Sequence, residues 1–263
     1  MAMTTIQRMS NSVVACVAIV AGMVLTTAAN RHHDSGAGER QKLCEWRAGA
    51  VVSAAAVAAY GVDSCFCAVP IPDAVFRRMQ GRSFRPNPHV SRARLRYVRA
   101  LHYDAEGCIH IGELVCHERI AADVVAIFRA LYEGRYPIER MVLIDNYDAD
   151  DERSMAANNS SGFCYRTVAG SSKVSAHAIG MAIDINPLYN PYVKTLKDGR
   201  LRVRPAAGRA YADRRRAHAY MLRRGDLCHR LFVQHGFVWG GAWRSVKDYQ
   251  HFEKNGSTVI NVN

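Results

Sequence analysis

Apolar positions in this chain recur at more than one spacing. Ile120, Val124, Ile127, Phe128 and Leu131 follow helical spacing, so residues 119–133 predict an amphipathic helix packed on a sheet, ended by Tyr136-Pro137. Residues 95–101 alternate between apolar and polar and predict a strand, and residues 107–116 predict a turn followed by another. Residues 74–79 predict a short helix with Asp73 as its N-cap. Residues 141–144 and 181–185 are short apolar runs of the kind that form buried strands. Between and after them come a polar helix over 145–157, a short strand over 163–166 and a mostly helical stretch over 209–235. These elements do not alternate regularly and show no internal repeat. They predict an α+β fold, a mixed, largely antiparallel sheet flanked by helices.

The first sixty residues follow a different pattern. Residues 13–25 are almost wholly apolar, with Arg8 before them and Ala28 and Ala29 after, the layout of a secretory signal or a single membrane anchor. The run is short for a spanning helix, which needs about 20 residues, and a buried helix is the other reading. A second apolar run, 48–60, follows Arg40, Lys42 and Arg47. Either it is an amphipathic or anchoring helix, or the chain starts later and this run is the signal. Residues 30–38 are small and polar and read as linker, with His32 and His33 solvated in it. The resulting division is 1–30 as signal peptide or membrane anchor, 31–69 as linker with a second apolar segment, and 70–263 as the functional domain. Either reading of the N-terminus exports that domain to the periplasm or cell envelope, free or membrane-anchored.

Composition adds two constraints. With 263 residues, 49% of them hydrophobic, the chain can build a substantial core. Its net charge of +12 is concentrated in arginines between Arg200 and Arg230. Such a region suits nucleic acid, anionic lipid or an acidic polymer. No nucleic-acid-binding motif accompanies it, so no nucleic-acid partner is expected. Anionic envelope polymers are the simpler partner for an exported protein, and a solvated face is the alternative. Of eight cysteines, Cys16 lies in the first apolar run, and Cys65-Phe-Cys67 lacks the second pair of a structural zinc site. Cys108 and Cys116 flank an expected hairpin and are the first candidates for a disulfide, with buried free thiols as the other reading.

The candidate chemistry centres on residues 175–187. Asp184 sits in an apolar strand, where an ionised carboxylate needs a cation, an arginine or backbone N–H groups as partner. His177, on a loop just upstream, favours a metal. Zinc takes imidazole and carboxylate, and a catalytic site needs a third protein ligand. His251, in Asp248-Tyr-Gln-His251-Phe-Glu253, is the candidate. Core histidines with a capping aspartate are the alternative. Asp248 and His251 lie on opposite faces of a regular strand, so a bend is required to bring both to one place. Glu253 can orient a ligand histidine. A peptide carboxylate or developing oxyanion calls for arginine. Arg166 is the first choice and Arg153 the second, with Ser175 as a hydrogen-bonding neighbour or a turn cap. The polar run 158–161 suits a substrate loop, Tyr189 and Tyr192 suit a cleft wall, and Trp239 and Trp243 suit the core or a groove wall.

Ser175-x-His177-x-x-Gly180-x-Ala182-x-Asp184, followed by Trp239-Gly-Gly-x-Trp243 and Asp248-Tyr-x-His251-Phe-Glu253, resembles the VanY-type D-alanyl-D-alanine carboxypeptidase family of zinc peptidases. The resemblance covers roughly residues 71–253. It implies the hedgehog/DD-peptidase fold and one zinc ion held by His177, Asp184 and His251. It further implies that Asp248 is the catalytic base, at a place where many relatives carry glutamate, and it supports Arg166 as the substrate arginine. The implied substrates are peptidoglycan stem peptides. Release of terminal D-alanine is the leading activity and endopeptidase cleavage the second. A zinc-containing module that binds wall peptides without cutting them is the alternative of another class.

Overall fold

The computed structural model describes residues 37–166 and 174–254. The expected signal or anchor, 1–30, lies outside the described residues. Four strands form the main sheet: β1 (Val51–Val52), β2 (Cys67–Pro70), β3 (Leu95–Tyr103) and β4 (Ile109–His117), in the order β1-β4-β3-β2. All its pairings are antiparallel. The β3–β4 ladder runs from Leu95 opposite His117 to Tyr103 opposite Ile109. Its turn is closed by the Asp104 carboxylate, which accepts from the Cys108 N–H at 2.7 Å. Helix α3 (Glu118–Glu133) follows α1 (Ala54–Tyr60) and α2 (Asp73–Met79) in the chain. It buries Ile120, Val124, Ile127, Phe128 and Leu131, the face expected from their spacing. Glu118, in its first turn, favours the positive end of the helix dipole and pairs with Arg94 and Arg96. The α+β, largely antiparallel reading holds.

Several local expectations need correction. The segment 31–69 is not a linker from residue 37 onward. Residues 37–44 are helical, and Leu43, Trp46, Val52, Ala56, Val57 and Cys65 are buried in the common core. Trp46 donates its indole N–H to the Gly112 carbonyl at 3.0 Å. The second apolar run is therefore spent on the sheet edge and α1. Among the described residues no helix is long and apolar enough to cross a membrane. Asp73 is the first residue of α2 rather than its cap, and its carboxylate takes Arg92 at 2.6 Å.

Residues 141–144 are buried but form no ladder. The side-chain amide of Asn159 bonds both the N–H and the carbonyl of Val142, and Glu113 accepts from the Leu143 N–H. Side chains there do the work of a neighbouring strand. Phe163, Cys164 and Tyr165 donate to three different segments, at Val115, His177 and Ser83, so no strand forms at 163–166. The expected helix over 145–157 is a 3-10 turn (Ile144–Tyr147) and then α4 (Asp151–Ala156). Asp148 and Ala149, both at positive φ, separate the two.

The stretch 209–235 is helical only at its ends, in a 3-10 turn (Ala206–Ala212) and in α5 (Leu227–Gln234). In between, Arg214 donates to the carbonyls of Tyr189 and Leu222, and Arg223 to those of Arg214 and Arg216. At Arg214, Arg216 and Leu222, guanidinium groups thus satisfy carbonyls that a helix would have paired. Cys108 and Cys116 are both free, and so are the other described cysteines. Eight residues along one strand place them roughly 26 Å apart at about 3.3 Å per residue, far beyond disulfide reach.

Two three-stranded sheets complete the domain: β5 (Ala182–Asp184), β10 (His251–Glu253) and β8 (Val238–Trp239) in the order β5-β10-β8, and β7 (Leu201–Arg204), β6 (Tyr192–Thr195) and β9 (Lys247–Asp248) in the order β7-β6-β9. The first of them is tied to the main sheet at the end of β4, where His117 N–H donates to the Gly180 carbonyl at 2.8 Å. Gly180 is at φ 71°, and a Cβ there would stand 2.7 Å from the His117 nitrogen. Gly180→Ala is therefore expected to lower stability by about 2 kcal/mol, from left-handed strain and the clash together. Urea unfolding of the two proteins measures it, and an unchanged midpoint would refute this account of the junction.

Candidate metal centre

Strands β5 and β10 pair so that His251 lies directly opposite Asp184. His177 arrives from the 3-10 turn Ala176–Ile179, which Ser175 caps by accepting the His177 N–H on its hydroxyl at 3.3 Å. The three side chains meet. Asp184 Oδ1 is 3.0 Å from His251 Nδ1, Asp184 Oδ2 is 3.2 Å from His177 Nε2, and the two ring nitrogens are 3.1 Å apart. All three residues are buried, at 4% (His177), 7% (Asp184) and 6% (His251) exposure.

Their outer partners set which nitrogen carries a proton. His177 Nδ1 lies 2.6 Å from the Gly162 carbonyl, which can only accept, so Nδ1 bears the hydrogen and Nε2 presents its lone pair inward. His251 Nε2 lies 3.2 Å from the Glu253 carboxylate, which likewise leaves His251 Nδ1 facing inward as a donor of electrons. Glu253 thus orients the histidine, as the sequence suggested. Two lone pairs and a carboxylate converging in a dry site call for a cation, and these atoms, all within 4.8 Å of one another, could hold one metal ion. With only protons available, burial works against charge on either group but is outweighed. Asp184 is held well below the usual carboxylate range by His177 and His251, and His251 is raised to about 10 by its bonds to Asp184 and Glu253.

The cluster lines a cleft of about 240 Å³ shared with Asp248, Arg166 and Ser175. Asp248 ends β9, and the chain bends through Tyr249 and Gln250 before β10 begins at His251. This is the bend that the two residues required. It is pinned by Trp239, whose indole N–H donates to the Tyr249 carbonyl at 2.9 Å. Gly240 passes so close that a Cβ would stand 2.7 Å from the Asp248 carbonyl oxygen. Burial, opposed by His251 and reinforced by the Asp184 charge, pushes the Asp248 carboxyl up to about 6. Its Oδ1 accepts from Gln250 Nε2 at 3.2 Å.

Arg166 faces the cleft with Nε 2.5 Å from Asp151 and Nη1 3.5 Å from the Ser175 hydroxyl. Arg153 does not reach it. It is exposed on α4 and paired with Asp148 at 2.9 Å, which removes it from the substrate site. The run 158–161 is not a substrate loop either, because Asn158, Asn159 and Ser160 are buried and bonded to Leu188, Val142 and Asn186. Trp243 and Tyr192 line the cleft, whereas Trp239 is core and Tyr189 stacks on His218 at 3.7 Å outside it. Asp151, Arg202 and Arg204 also line the cleft and went unnoticed as site residues in the sequence. Their signal, Arg202-Val-Arg204 on an alternating strand, was submerged in the surrounding arginines. A larger cavity, about 510 Å³, lies beside His102 and His110 and contains none of the three converging groups.

Residues 169–254 match the family model described as D-alanyl-D-alanine carboxypeptidase. The chain resembles that carboxypeptidase family. The matched span includes His177, Asp184, Asp248 and His251, and it supports a peptidase, a hydrolase in the coarse sense. No curated protein and no solved structure matches the chain significantly.

The carboxypeptidase-like cluster should take up one equivalent of a divalent transition-metal ion, read by calorimetry. The free energy of unfolding should rise by about 4 kcal/mol at a free metal concentration a thousandfold above Kd, seen as a higher Tm. His177→Ala and His251→Ala should lose both effects. A wild-type Tm unmoved by any such ion would remove the metal from the account.

Proposed function

We propose that this protein is a zinc-dependent peptidase that hydrolyses peptidoglycan stem peptides, foremost as a D-alanyl-D-alanine carboxypeptidase. The observation that carries the reading is the convergence of His177, Asp184 and His251 in one cleft with Asp248. Zinc held by the three residues would supply Lewis acidity at the scissile carbonyl and acidify the attacking water. Asp248, whose carboxyl stands raised towards neutrality, takes a proton during attack and returns it to the leaving amine. Arg166 and Ser175, side by side on the wall, orient the carboxylate at the end of the peptide. Trp243, its ring centroid 5.4 Å from that of His251, offers an apolar surface beside the reacting bond.

An enzyme with this substrate works outside the cytoplasm, in the periplasm or at the envelope. The apolar run 13–25 supports export, whether cleaved or kept as an anchor. The Arg200–Arg230 region is a candidate contact for anionic envelope polymers, with Arg214 and Arg223 committed internally.

The test is digestion of purified peptidoglycan with zinc or with a chelator, read by mass spectrometry. Zinc-dependent loss of terminal D-alanine is expected. Asp248→Asn should keep the metal and lose about 10²–10⁴-fold in kcat. A base must be unprotonated to act, so the rate should fall as pH drops, with a limb at or below about 6 because a nearby cation lowers the Asp248 pKa. Internal stem fragments would move the assignment to an endopeptidase. Zinc binding without products would replace the peptidase with a wall-peptide binding module.

A further inference from the structure

The β7-β6-β9 sheet forms one wall of the cleft, and its register places charge along that wall. Tyr192 of β6 pairs with Asp248 on one side and with Arg204 on the other, so Asp248, Tyr192 and Arg204 form a row across three strands. All three line the cleft, and Arg202, two residues along β7 on the same face, lines it as well. Val203 between them points the other way and is buried.

The arginines of this cleft differ in what they face. Arg166 is paired with Asp151, and Arg204 is paired with Glu152 at 3.3 Å. Arg202 has no carboxylate partner among the described residues, and the residue opposite it in the ladder is Lys194, a second cation. Like charges directly opposite on neighbouring strands are destabilising. A cross-strand cation pair at the edge of a cleft is relieved by an anion placed between the two groups. Arg202 and Lys194 stand two residues along the strands from the Asp248 row, about 6.6 Å, and strands are about 4.8 Å apart, so the point midway between them lies roughly 10 Å from Asp248 along the sheet, away from the bond being cut.

We propose that Arg202, with Lys194 beside it, is a specificity determinant that binds a carboxylate of the substrate remote from the scissile bond. The inference rests on the peptidase reading for the identity of the ligand as a wall peptide. It deepens that reading, because the favoured substrates are then stem peptides with a free internal carboxylate, and their amidated counterparts are disfavoured. Arg202 is a positioning residue and takes no part in the proton transfers assigned to Asp248.

The test uses zinc-loaded full-length protein and synthetic stem peptides, each amidated at one internal carboxylate at a time. Binding is measured by calorimetry and turnover by mass spectrometry. Wild type should bind the free-acid peptide about 5- to 10-fold more tightly than one of the amidated forms, in the range of an exposed charge-assisted contact. The preference should appear in KM rather than kcat and shrink at high salt. Arg202→Gln should abolish the preference, leave the amidated peptide and the zinc content unaffected, and be partly rescued by Arg202→Lys. Equal binding of all peptides to wild type, an undiminished preference in Arg202→Gln, or equal weakening of both peptides would overturn the inference. If no peptide is cleaved, the peptidase reading fails, and the ratio of binding constants still decides the role of Arg202.

Discussion

The structure turns on three groups that repel one another unless something positive stands between them. His177 Nε2 and His251 Nδ1 both present lone pairs to the Asp184 carboxylate, because Gly162 and Glu253 claim the opposite nitrogens. Removing such a cluster from water is costly, and the cost is recovered only when protons on the rings or a metal ion held by all three place positive charge among them. Everything that holds the rings in place therefore acts on cation affinity as much as on folding. Glu253 does so through a hydrogen bond, and the β5–β10 register does so by setting His251 across from Asp184.

The cluster is assembled from segments that carry little regular structure of their own. Its strands are three residues long, and its first histidine sits on a 3-10 turn. Rigidity is imported from the main sheet. The end of β4 grips the site segment at Gly180, and Val115 of the same strand accepts from Phe163, one residue after the carbonyl that orients His177. Because α3 starts at Glu118, directly after β4 ends at His117, the helix packed on the sheet also fixes this junction. A change in the core at β4 or α3 should thus be felt at the histidines through backbone contacts alone.

What could be read from the sequence was set by how many residues shared one pattern. The face of α3 was legible because five apolar positions agreed, and burial followed them all. The three converging groups were legible because histidine and aspartate stand at informative spacing in apolar surroundings. Residues 141–144 misled because apolarity reports burial, not what satisfies the backbone, and here Asn159 and Glu113 satisfy it from outside. Arg166 ranked before Arg153 in the chain, but nothing in the sequence excluded Arg153 from the site. The left-handed residues Asp148 and Ala149 that break the expected helix, and the Asp148 carboxylate that claims Arg153, leave no apolar signature.

The arginines between 200 and 230 show why a charge run is hard to interpret before folding. Arg214 is drawn inside, where it bonds Tyr189, Asn190 and Leu222, and burial lowers its pKa to about 10. Arg223 closes the same irregular loop. Arg200 and Arg215 are paired with Asp198 and Asp213, each two residues away. Those four serve the fold or neutralise local acids. Arg202 differs because strand periodicity turns it to the cleft face, while Glu152, the partner of neighbouring Arg204, is also taken by the Ala206 N–H. Net charge alone would have spread the cationic surface evenly over the region. The ion-pair and hydrogen-bond pattern instead singles out Arg202, without a carboxylate partner among the described residues, on the wall of the cleft that holds His177, Asp184 and His251.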